Sequence, residues 1–273
     1  MNTSQRLRYL LKVGKKEHID QFASGNLYCN CAKTFWDIEN NKVKGQGDAL
    51  EAGTYVYAER VVFRPYDKSG NLTDDYFILN QPTTLKIRFG DAVNMPIFCM
   101  TAVLEDDCRI QKNNTLAICL SNKKKETLRE HFPDADTVAI ISDPQVFLND
   151  VKISIGTRME SGFIKYYNLA EGSPLDNDRI ANDLEYMNYV TQDISTWSSE
   201  EKRHAFLKAE YVYRTLFCKD YFFKDEQEYR IVLPDERIIN GTLYPVRIHT
   251  PIEIIPFETF LNAERWPLLD DDE

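Results

Sequence analysis

One stretch of the chain concentrates the groups that do proton and charge chemistry: Lys219-Asp220-Tyr221-Phe222-Phe223-Lys224-Asp225-Glu226-Gln227-Glu228-Tyr229-Arg230-Ile231. A dense acidic cluster runs directly into an apolar strand. If Glu228 opens that strand, Glu226 and Glu228 lie on one side of it, because extended side chains alternate with period two. Two carboxylates on one face raise each other's pKa, and together they can hold a substrate hydroxyl and stabilise developing positive charge. The same run also reads as acidic residues closing a helix–strand loop, with Arg230 pairing to one of them. A second constellation is Tyr28, Phe35 and Gly45-Gln46-Gly47-Asp48-Ala49-Leu50-Glu51. There a glycine-flexible loop carries two carboxylates after an aromatic stretch. It lines a ligand cleft, or it caps a helix with Asp48 as N-cap and Glu51 three residues on; the spacing favours the cap.

Other chemistries lack their residues. The chain has no Walker A loop, G-x-G-x-x-G, G-x-S-x-G, H-E-x-x-H or EF-hand loop. Cys29-Asn30-Cys31 has no second Cys or His pair at zinc spacing, and His18, His131, His204 and His249 are scattered, so no metal is expected. Asp225, Glu226, Glu228 and Lys219 would suit a metal-dependent nuclease, but Arg230 stands where its E-x-K spacing needs lysine. A net charge of −10 disfavours holding nucleic acid by diffuse electrostatics, which takes clustered Lys and Arg. Only a local basic groove would serve.

The six cysteines are few for a disulfide framework, and Cys29, Cys99 and Cys119 sit in apolar runs. Free thiols in a reducing cytoplasm are expected. The Tyr9-Leu10-Leu11 run is too short for a signal peptide. Val138–Ile141 and Ile252–Phe257 fall far below the roughly 20 residues of a membrane span, so no membrane partner is expected.

The elements that must position these groups are many short strands with a few helices. Strands are expected at Arg6–Val13, Asn26–Phe35 (or an ordered loop), Thr54–Arg64, Tyr76–Leu79, Thr83–Phe89, Met95–Ala102, Leu116–Leu120, Thr137–Ser142 and Gly162–Tyr167. Three more follow at Glu228–Leu233, Leu243–Ile248 and Ile252–Phe257. Helices are expected at Lys15–Gly25, at Lys123–Phe132, and after Asp143-Pro144, an N-cap with Pro at the first helical position. Asp37–Ala52 reads as a loop and Asp67–Asn71 as a turn. Residues 168–198 carry acids against Arg179 alone and read as an irregular insertion or lid. Ser198-Ser199-Glu200-Glu201 forms a capping box for a helix to about Leu216, and 268–273 a solvated acidic tail. No repeat or long linker divides the chain, which argues a single α+β domain over 1–273, mostly antiparallel with peripheral helices.

Read in order, several short motifs form a pattern. Leu11-Lys12 comes first, then a helix ending in Gly25-Asn26-Leu27-Tyr28, then Phe35 and Gly47-Asp48 with Glu51. Phe98-Cys99-Met100-Thr101, His131-Phe132 before a Val-Ala-Ile-Ile strand, and Phe163-Ile164-Lys165-Tyr166 follow. Phe217, Lys219 and Glu226-x-Glu228-Tyr229-Arg230-Ile231 close it. The pattern resembles a bacterial family of unknown function found near anti-phage and toxin–antitoxin genes. More distantly it is similar to ADP-ribosyltransferase-fold toxins, some of which modify DNA or RNA. The Ser-Thr-Ser element of their E-x-E branch is replaced here by Cys29-Asn30-Cys31.

The resemblance implies an ADP-ribosyltransferase-like fold and transfer of ADP-ribose from NAD to a nucleic acid or protein, under the control of an antitoxin or chaperone. By the same resemblance Glu228 is the catalytic acid and Glu226 orients the acceptor. Arg8 or Lys12 contacts the NAD phosphates or ribose, Tyr28 or Phe35 stacks on nicotinamide, and Asp48, Lys219 and Arg230 complete the surroundings of NAD. A non-catalytic sensor or binding module, and after it the nuclease, are the alternatives.

Overall fold

The computed structural model describes every residue outside 1–5, 41–47, 59, 64, 66, 70, 72, 112–115, 170–184, 191–197, 199–208 and 268–273. In chain order the first elements are β1 (Leu7–Gly14), α1 (Lys16–Ala23), β2 (Asn26–Cys29), α2 (Ala32–Asn40), β3 (Gly53–Ala58), β4 (Val61–Phe63), β5 (Phe77–Leu79) and β6 (Thr83–Arg88). The middle holds β7 (Ile97–Leu104), β8 (Cys108–Ile110), β9 (Leu116–Ile118), α3 (Asn122–His131), β10 (Thr137–Ile141), α4 (Pro144–Ile155), β11 (Glu160–Phe163) and β12 (Lys165–Tyr167). The last are β13 (Cys218–Asp220), β14 (Glu228–Val232), β15 (Thr242–Pro245), β16 (Ile252–Pro256) and α5 (Phe257–Asn262), with 3-10 helices at Ala209–Phe217 and Tyr221–Glu226.

Six of these strands build one sheet in the order β11-β14-β7-β1-β10-β16, every neighbour antiparallel. Its central strands read as near-continuous apolar runs, such as Ile97-Phe98-Cys99-Met100 and Val138-Ala139-Ile140-Ile141. Both faces are covered, so both alternating sets of side chains must be apolar. Leu10, Phe98, Met100, Ala102, Tyr229 and Ile231 share one face with Ile19 and Phe22 of α1 and Phe147 and Val151 of α4. On the other face Leu11, Val103, Val138 and Ile140 pack beneath Leu128 of α3 and Phe257, Phe260 and Leu261 of α5. Farther along that second face Ile97 and Val232 meet Ala32, Val212, Leu216 and Phe217. The chain is therefore α+β and mostly antiparallel, as its composition of short strands implies.

Local signals explain the helix ends. Asp143 accepts from Val146 N at 3.0 Å, Pro144 opens α4, and Gly156 closes it at φ 70°. Ser121 caps α3 through Lys124 N at 3.3 Å. Gly25 follows α1 at φ 89°.

Several expected elements are divided differently. Asn26–Phe35 is a strand only to Cys29; Phe35 sits on α2, which buries Ala32 and packs Phe35 and Trp36 on the second face. Thr54–Arg64 splits into β3, which pairs with β6, and β4, which pairs with β5. Gly162–Tyr167 splits as well: β11 joins the main sheet, while β12 pairs in parallel with β13. Most of the 168–198 segment, the capping box after Ser198, the start of the helix expected there and the 268–273 tail lie outside the described residues; a helix occupies 185–190. No helix of the described residues is long and apolar enough to cross a membrane, and all six cysteines are free.

Candidate functional site

β14 places Glu228 and Arg230 on the second face, opposite Thr101 and Cys99 of β7. Its alternate residues, Tyr229 and Ile231, go to the first core. Arg230 is 1% exposed and sits at the centre of a network. Its Nε donates to Glu228 Oε1 at 2.5 Å and its Nη2 to Glu228 Oε2 at 3.2 Å. Its other contacts are to Glu51, through both terminal nitrogens (Nη2 to Oε2 at 2.9 Å), and to the Leu216 carbonyl at 2.6 Å.

Lys219 enters from β13, and the chain then turns through the Tyr221–Glu226 3-10 helix, capped by Asp220 accepting from Phe222 N at 3.0 Å. Gln227 adopts φ 46°, and that left-handed residue returns the chain into β14. The turn brings both carboxylates onto one ammonium: Lys219 Nζ lies 2.6 Å from Glu226 Oε2 and 3.1 Å from Glu228 Oε2. It also sits 4.1 Å from the centre of the Phe223 ring. The other Glu226 oxygen is 2.6 Å from His131 Nδ1, at the end of α3. With Lys219 donating on one side, Glu226 accepts on the other, so His131 donates through Nδ1. Glu228 N donates to the Tyr166 hydroxyl at 2.9 Å.

Burial alone would raise the Glu228 carboxyl, but Arg230 and then Lys219 outweigh it and hold the group well below the carboxylate range. Burial works against the charge of Lys219 too, yet Glu226 and Glu228 keep it protonated. Glu51, wholly buried, is pushed up to about 7 by burial, which outruns its pairing with Arg230. Burial raises Asp48 also; its Oδ1 accepts from Leu50 N at 2.8 Å, while its buried Oδ2 has no partner among the described residues.

Glu226, Glu228, Lys219, Arg230 and Asp48 therefore share one neighbourhood, with Phe35 packed on the same side. Lys12 approaches from the gap where β1 and β7 part after Leu11 and Thr101. There it donates to the Cys99 carbonyl at 2.8 Å and lies 4.5 Å over Phe98, its pKa lowered by burial. Arg8 is elsewhere, paired with Glu105 at 2.9 Å, and Tyr28 is half exposed on the β2–β15 ribbon.

Asp48 does not cap a helix as its spacing suggested. Residues 48–52 form a turn, and the Glu51 side chain runs to Arg230 instead of returning to a cap. Sequence reasoning gives His131 and Tyr166 no role, and it does not link Glu51, a carboxylate of the cleft-lining or capping loop, to Arg230. Glu51 stands 179 positions from its partner Arg230, and no local signal marks such a pair. Among the described residues no group of three or more His, Cys, Asp or Glu is arranged to hold a metal ion. Compared with protein-family models, curated proteins and solved structures, the chain matches none of them.

Proposed function

We propose that the chain is an ADP-ribosyltransferase that moves ADP-ribose from NAD to a macromolecular acceptor, on an ADP-ribosyltransferase-like variant of the α+β fold. The observation that supports this is the convergence of Glu226 and Glu228 on a single cation, Lys219. Two carboxylates set around one positive charge are complementary to the oxocarbenium-like ribose of a loosening nicotinamide bond. In the reaction the C–N glycosidic bond breaks and its electron pair leaves with nicotinamide. Glu228 faces the charge at the anomeric carbon, the acceptor nucleophile bonds to that carbon, and its proton passes to Glu226. Lys219 must give way for this, and Asp48, buried nearby with an oxygen that has no partner among the described residues, gives the ammonium another acceptor. By the same reading the activity is of the toxin or anti-phage kind, restrained by an antitoxin or chaperone.

The purified protein is incubated with labelled NAD and cell lysate beside a Glu228→Gln variant whose circular dichroism matches wild type. Nicotinamide release and label transfer are expected from wild type, with a loss of about 100-fold or more in the variant. Undiminished transfer by the variant, or no turnover by wild type, overturns the reading.

A second reading has its own observation. Glu228 is only 6% exposed and already carries two cation partners, so its charge is largely compensated inside the protein. On that reading the network is structural and the protein is a non-catalytic binding module, harmless on expression and silent in the NAD assay.

A further inference from the structure

A cleft of about 630 Å³ opens beside β11, the edge strand of the main sheet, where it meets the Ala209–Phe217 segment and the helix at 185–190. This lies in the range of small-ligand sites. Phe163, Tyr189, Tyr213 and Phe217 supply its aromatic walls, and Lys165 and Arg214 its cations.

The two kinds of group interleave. Lys165 Nζ is 5.0 Å from the centre of the Tyr189 ring, and the Arg214 guanidinium is 5.7 Å from that ring and 4.4 Å from Tyr211. Arg158 lies 4.8 Å from Tyr213. The cleft has one carboxylate, Glu160, and Arg158 holds it at 2.9 Å. Neither Lys165 nor Arg214 has a carboxylate in ion-pair range among the described residues, in a chain of net charge −10. Arg214 Nη1 donates to the Tyr189 carbonyl at 3.0 Å, and both cations line the same aromatic cleft.

A further lining residue has an unmet need. Asn188 Oδ1 is buried without a hydrogen-bond partner among the described residues. A buried unsatisfied acceptor costs about 1–3 kcal/mol unless something donates to it. Gly162 adds no side chain to the floor, where a Cβ would stand 3.9 Å from the Phe217 ring.

Aromatic faces, two cations and a waiting acceptor together match a nucleotide: a π-face to stack, a phosphate to neutralise and an exocyclic amino group to donate. We infer that the cleft binds a nucleotide unit, either free or within a single strand. The base lies among the tyrosine and phenylalanine rings, its amino group donates to Asn188, and its phosphate meets Lys165 and Arg214. This is the local basic groove that the sequence did not reveal. The inference does not rest on NAD transfer, because it concerns binding by other side chains, on the edge strand beside β14.

The test is fluorescence anisotropy with two probes, a fluorophore-labelled ADP and a labelled single-stranded oligo(dA), at low and moderate salt. Saturable binding of either probe is expected: ADP alone identifies a free-nucleotide site, and the oligonucleotide alone a strand site. Lys165 is exposed, so Lys165→Glu should fold and should weaken binding about tenfold or more, while Lys165→Gln should lower the salt slope for the oligonucleotide by about one. Asn188→Ala should erase any preference for oligo(dA) over oligo(dT). No saturable binding of either probe overturns the inference, as does binding that Lys165→Glu and Arg214→Gln leave unchanged. Nucleotide binding without nicotinamide release keeps this site and removes the transferase; nicotinamide release with neither probe binding does the reverse.

Discussion

Arg230 carries its guanidinium into a place that water does not reach, and everything around it follows from that. Glu51 and Glu228 take its donors with good geometry, and the Leu216 carbonyl takes one more. Such an arrangement adds little over an apolar core of equal volume, but removing one member is costly because the others stay buried and charged. Arg230→Ala is therefore expected to destabilise the protein by about 3–5 kcal/mol, read as the shift in urea unfolding free energy. A loss below about 1 kcal/mol would show that water or a rearranged Lys219 takes over its role. The charges also have an order. Burial pushes the Asp48 and Glu51 carboxyls up, whereas Arg230 and Lys219 hold Glu228 down.

Among the elements, the junction after α1 is set by one residue. Gly25 has φ 89°, and a Cβ there would stand 2.3 Å from the Val246 carbonyl oxygen. The same backbone receives Val246 N at 2.7 Å, tying β2 and β15 to the helix end. Gly25→Ala meets a disfavoured conformation and a backbone clash together, so it should cost more than about 1 kcal/mol and lower Tm by at least about 2 °C. An unchanged melting temperature would mean the loop after β15 shifts freely. The helix stop at Gly25 was legible in the sequence, because glycine after an amphipathic stretch has a local cause. The helix over Ala32–Asn40 was not legible. Its short run of Ala32, Phe35 and Trp36 suits a strand equally well until there is a sheet face for it to cover.

For the molecule as a whole, one six-stranded sheet carries the packing on both faces, while β3–β6 and β4–β5 are separate two-stranded ribbons. Exposed apolar residues on those ribbons, among them Val62, Phe77 and Leu79, show how little they bury. Stability is then uneven. Amides of β7 and β10 are expected to exchange with solvent only through global unfolding, and those of β4 and β5 through local opening at least about 100-fold faster. Equal protection in both sets would show that the ribbons fold as part of the core.

The grouping of Lys219, Glu226 and Glu228 belonged to the sequence itself. They lie within ten residues, and a capped 3-10 turn closed by the left-handed Gln227 is local chemistry that brings both carboxylates onto one ammonium. The buried strands were equally plain, because apolar runs must be covered wherever they lie. Only the tertiary structure decided that Glu51 and His131 join them, that Arg8 and Tyr28 stand apart, and that Lys165, Asn188 and Arg214 share an aromatic cleft. Those meetings depend on which strand becomes the neighbour of which, and long-range pairing is written into no single segment of the chain.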